Sequence, residues 1–130
     1  MKQTIPTLLL ICSQAAFAGP WSDIDRSLPE SRKQALAPVI AKQLKLEKVE
    51  VIESYYYQGW YIIHVGTFVS DDSFLFYKGD PLKSSFVTEW AGAAAINETD
   101  EIKSWVLTNA KGIPDRLASF FAWHVTKDRD

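Results

Sequence analysis

Between Val49 and Trp90 the chain is dominated by β-branched and aromatic residues interrupted by short turn signals, a pattern that points to consecutive antiparallel strands. Val49 to Tyr57 alternates in its first half, with Val49 and Val51 set against Glu50, and ends in Tyr55-Tyr56-Tyr57. Gln58-Gly59 is the expected turn. Trp60 to Phe68 is apolar on both faces, Trp60, Ile62 and Phe68 on one and Tyr61, Ile63 and Val65 on the other, as a central strand requires. Ser70-Asp71-Asp72-Ser73 reads as a turn, Phe74 to Tyr77 as the third strand, Lys78-Gly79-Asp80-Pro81 as a further turn, and Phe86 to Trp90 as the fourth strand.

Helical periodicity flanks this region. Leu28, Ala35, Leu36, Val39, Ile40 and Leu44 recur at helical spacing, with Ser27 as the expected cap and Pro38 as an expected kink or break near Ala37. After the strands, Asn97 to Glu101 reads as a capped helix start with carboxylates at the positive end of the dipole. Ile102, Trp105, Val106 and Asn109 form that helix's inner stripe. Lys111-Gly112-Ile113-Pro114 ends it, and Pro114 opens a last helix carrying Leu117, Phe120, Phe121 and His124 before a charged tail that is expected to fray. The expectation is an α+β domain: an N-terminal amphipathic helix, a four-stranded antiparallel meander, and two C-terminal helices packed on one face of the sheet.

Residues 1–18 read as a cleavable export signal. Lys2 supplies a charged start, Leu8 to Ile11 an apolar core, and Ala16-Phe17-Ala18 the small residues before a cut ahead of Gly19. Residues 19–130 then form a single domain, placed in the periplasm or outside the cell. The apolar run from Ile5 is too short for a membrane span, which needs roughly 20 residues. Cys12, the single cysteine, lies within the signal, so the mature chain has no disulfide, thiolate metal site or thiol nucleophile. A lipid-attachment role for Cys12 is the alternative, set against Ile11 where a small residue is preferred. Without the signal, 13 basic groups face 16 acidic ones, a balance that offers no field for nucleic acid.

No nucleotide loop, nucleophile elbow, calcium loop or zinc-ligand spacing occurs, so no cofactor and no metal are expected. Asn97-Glu98-Thr99 matches a glycosylation acceptor but reads as capping, and Trp90 to Ala95 could line a pocket or join strand to helix. His64, on the face shared by Trp60 and Ile62, and His124, near the inner face of the last helix, would have to serve any acid–base chemistry. They are otherwise buried histidines with hydrogen-bond partners.

The aromatic cluster Tyr55-Tyr56-Tyr57-Gln58-Gly59-Trp60-Tyr61 exceeds what one hairpin can bury, and exposed Tyr and Trp typify binding surfaces. The leading expectation is therefore a non-enzymatic binding protein, of inhibitor or immunity type, that meets a protein partner through Tyr55, Tyr56, Tyr57, Trp60 and Tyr61. A carrier or sensor of a small apolar or sugar ligand near Trp60, Trp90 and Trp105 is the alternative. A hydrolase or isomerase using His64 or His124 with a carboxylate of the Asp71-Asp72 loop is the third.

Overall fold

The computed structural model describes residues 19–128, so the leader expectation lies outside the described residues. Helix α1 (Glu30–Leu44) precedes strands β1 (Glu50–Tyr57), β2 (Trp60–Gly66), β3 (Ser73–Lys78) and β4 (Thr88–Ala91); helices α2 (Thr99–Asn109) and α3 (Asp115–Thr126) follow. The sheet is antiparallel throughout, in the order β1-β2-β3-β4. The α+β meander read from the sequence is the architecture found. No helix among the described residues is long and apolar enough to cross a membrane.

The two sheet faces bury different partners. Helices α2 and α3 cover one, where Tyr55, Ile62, Phe74 and Phe76 meet Val106, Leu117, Phe120 and Phe121. Helix α1 covers the other, where Leu36 and Ile40 meet Val51, Ile63, Val65 and Leu75. Both β2 and β3 are thus apolar on both sides, which explains why Trp60 to Val65 shows no polar face. Tyr77 ties the α1 layer together: its buried hydroxyl, pushed upward in pKa by desolvation, donates to Gln43 Oε1 at 2.6 Å.

Local chemistry departs from the sequence reading at two points. Pro38 lies within α1 without dividing it. Ser27 does not cap that helix: Pro29 occupies the N-cap, and the Ser27 N–H and hydroxyl both donate to Asp25 Oδ1. Glu98 occupies the α2 N-cap, with its carboxylate accepting from the Ala95 N–H at 2.7 Å. The tight β1–β2 turn is formed as expected, with Gln58 and Gly59 at φ 46° and 89°, the two left-handed positions of a hairpin whose twist matches its strands.

One irregularity governs the site. The β1–β2 register pairs Val51 with Val65 and Glu53 with His64, so Ile52 is the extra residue of a β-bulge. Strict alternation would put Val51, Glu53 and Tyr55 on one face. The bulge instead leaves Val51 against α1 and turns Glu53, Tyr55 and Tyr57 toward α2 and α3. A short pairing of Asp25 with Tyr56 covers part of the free edge of β1.

Candidate functional site

His64 enters from β2 and His124 from the last turns of α3, and both reach a single carboxylate. Glu53 Oε1 lies 3.7 Å from His64 Nδ1 and 3.5 Å from His124 Nε2. The same carboxylate accepts the Tyr55 hydroxyl at short range, and its other oxygen accepts from the Arg26 guanidinium at 3.0 Å. Each imidazole has a second acidic partner: His64 Nε2 is 3.2 Å from Asp72 Oδ2, and His124 Nδ1 is 3.0 Å from Asp128 Oδ2. Tyr55 OH completes the chain at 2.8 Å from His124 Nε2.

Aromatic packing fixes both rings. His64 stacks on Phe74 at 4.2 Å and 14°, and His124 stacks on Phe120 at 5.5 Å and 14°. Arg26 lies over the Tyr55 ring at 5.1 Å, which places a cation on the outer side of the cluster.

Burial alone would raise the Glu53 pKa. The Tyr55 hydroxyl, His124 and Arg26 together outweigh that desolvation and hold the carboxyl below its ordinary value of 4.5. Desolvation and the adjacent Glu53 push the Tyr55 phenol upward, so it acts as a neutral donor at any physiological pH.

Because the folded Glu53 is the stronger acid, its contribution to stability is complete above the unfolded value and is lost as pH falls through the folded one. Wild type should therefore lose stability relative to Glu53→Gln on acidification from about pH 5 to pH 3. Paired denaturant titrations across that range check this expectation, and parallel curves would refute it.

Above the cluster opens a cleft of about 290 Å³ whose lining includes His64, Asp72, Phe74, Trp90, Gly92 and His124. Asp72, Gly92 and Ala93 also line an adjoining hollow with Ser70 and Asp71. The small-residue run after β4 therefore serves as a wall as well as a joint. The two imidazoles carry four ring nitrogens. Three have hydrogen-bond partners, and the fourth, His64 Nδ1, is buried without one beside Glu53. Among the described residues no group of three or more His, Cys, Asp or Glu side chains is placed to hold a metal ion.

The tyrosine hairpin divides between core and surface. Tyr55 is fully buried and Trp60 is 4% exposed, so neither supplies contact area to a partner. Tyr56, Tyr57 and Tyr61 are half-buried, and Tyr56 packs on Tyr61 with ring centroids 4.7 Å apart. These last two line a separate hollow of about 310 Å³ with Arg32 and Asp80. Its carboxylates are engaged locally, Asp25 by Ser27 and Asp80 by Arg32 and the Leu82 N–H.

His64, His124 and Asp72 are thus brought together, as the acid–base reading requires, while Asp71 and Asp80 are not part of the cluster. Sequence reasoning missed Glu53 and Asp128. The adjacent apolar pair Val51-Ile52, which breaks the alternation of β1, is the signal that marks the bulge and hence the facing of Glu53. Compared with models of protein families, with curated proteins and with solved structures, the chain finds no match.

Proposed function

We propose that the protein works by binding, and that its ligand is a small molecule rich in hydrogen-bonding groups, seated in the cleft between β2, β3, β4 and the end of α3. One observation carries this reading: two imidazoles and three carboxylates converge beneath a cavity walled by Phe74 and Trp90. Polar groups in a partly buried position cost desolvation, and a pocket with apolar walls and a few convergent polar groups is the usual form of a small-ligand site. Binding is favoured over turnover because three of the four imidazole nitrogens are engaged by Tyr55, Asp72 and Asp128 and the fourth is buried beside Glu53. A location outside the cytoplasm, expected from residues 1–18, belongs to the same proposal.

Ala93 is exposed and lines the cleft, so Ala93→Trp should fill the cavity while leaving the core intact. In saturation-transfer NMR with a panel of monosaccharides, polyols and aromatic amides, wild type is expected to give contacts that Ala93→Trp loses. Equal signals from both proteins, or none from wild type, would overturn the cleft as the ligand site.

A further inference from the structure

Hydrogen-bond directions in the cluster leave one proton unaccounted for. An ionised carboxylate only accepts, so the ring nitrogen facing Asp128, His124 Nδ1 at 3.0 Å, must carry a hydrogen. Glu53 already accepts from Arg26 and also faces the Tyr55 hydroxyl. That hydroxyl has a single proton but two neighbours that both need one: Glu53 Oε1, and His124 Nε2 at 2.8 Å. If the hydroxyl donates to Glu53, its oxygen can only accept from Nε2, and His124 carries two ring protons. If it donates to Nε2, Glu53 must be protonated. Both arrangements hold one proton more than an ionised Glu53, a neutral Tyr55 and a neutral His124 would carry.

We infer that Glu53, Tyr55 and His124 form a built proton-binding site beneath the cleft, and that occupancy of this site sets how firmly the end of α3 is held to β1. Its charged and titratable surroundings come from every side. Arg26 lies on the N-terminal segment, His64 on β2, Asp72 on the β2–β3 loop and Asp128 just past α3, while β3 and β4 present only Phe74 and Trp90.

When the extra proton leaves, the hydroxyl must choose between Glu53 and His124, and the contact it abandons sets acceptor against acceptor. Because His124, Val125 and Asp128 line the cleft, loss of that link loosens a cleft wall. The proton count rests on geometry alone. Its consequence for a ligand rests on the cleft reading proposed above, since the wall that loosens would then be the wall of the binding site.

Nitrogen-15 NMR of the full protein reads the ring protons directly, and the carboxyl carbon-13 shift of Glu53 reads its charge. At neutral pH the wild type should show both His124 nitrogens protonated beside an ionised Glu53, the arrangement that agrees with a carboxyl held below its ordinary value. A bare Nε2 together with an ionised Glu53 overturns the proposal without need of any variant.

Glu53→Gln supplies the contrast. Its amide N–H can donate to the Tyr55 oxygen, the hydroxyl then turns to Nε2, and every group is satisfied with no extra proton. His124 should become the neutral Nδ1–H tautomer, and ring spectra identical to wild type would overturn the proposal. Amide exchange over residues 120–128, corrected for its intrinsic pH dependence, should quicken in wild type across the interval in which the extra proton is lost, and stay level in Glu53→Gln. The same profile in both proteins would overturn the link to α3. None of these measurements involves a ligand, so they stand or fall separately from the cleft reading.

Discussion

Tyr55→Ala is expected to cost about 3–5 kcal/mol of folding stability, the range for removing a fully buried aromatic ring. The ring has no exposed surface and packs edge-on against Phe120 at 5.0 Å and His124 at 5.1 Å. Truncation also removes the hydroxyl that joins Glu53 to His124, leaving two polar groups short of a partner in a partly desolvated place. Against a typical domain stability of about 5–15 kcal/mol, the variant should sit close to its unfolding midpoint. Tyr56→Ala, on a half-buried ring facing the other side of the sheet, should cost distinctly less. Denaturant titrations of both variants provide the check. Similar small losses would restore Tyr55 to the role of a surface contact; a large loss at Tyr55 alone makes it the keystone of the cluster.

That contrast follows from what the sequence could and could not display. Strand order, the Gln58-Gly59 turn and the Gly112-Pro114 stop were legible because each depends on residues adjacent in the chain. Alternation also placed Tyr55 and Tyr57 on one face and Tyr56 on the other. It could not say which face was the more deeply buried, because that depends on where the helices settle. Tyr55 lies opposite Ile62 and under α3, whereas Tyr57 is near the hairpin end, where the covering thins. The aromatic excess therefore feeds the core at Tyr55 and Trp60 and reaches the surface only in part at Tyr56, Tyr57 and Tyr61.

The cluster was half legible for the same reason. His64 and His124 stood out as the only two histidines, and Asp72 as a loop carboxylate near the start of β3. Glu53 drew no notice in a strand where strict alternation would keep it on the face of Val51, and the one-residue bulge at Ile52 parts the two. Asp128 belonged to a charged tail that composition marks as frayed, yet its carboxylate bonds back one helical turn to His124. Contacts that depend on a bulge or on the last turn of a helix need the fold before they can be seen.

Phe121→Ala should match Tyr55→Ala in cost, about 3–5 kcal/mol, and should also disturb the cleft. Phe121 is fully buried on α3, with ring contacts to Phe74 at 5.1 Å, Phe76 at 5.0 Å and Trp90 at 5.6 Å. Phe74 and Trp90 are the apolar walls of the cleft, and Phe74 is also the ring on which His64 stacks. The phenyl group of Phe121 is thus the common support of β3, β4 and, through Phe74, the His64 imidazole. Its removal leaves a void that Trp90, itself partly exposed, is free to enter, which would collapse one wall of the cleft. Urea unfolding measures the stability, and Trp90 emission, isolated by comparison with Trp90→Phe, follows the wall. A loss below about 1 kcal/mol with unchanged emission would mean that the cleft is supported from elsewhere. The expected large loss, with Phe121→Leu retaining more of both stability and emission, would show that core packing and cleft shape depend on the same ring.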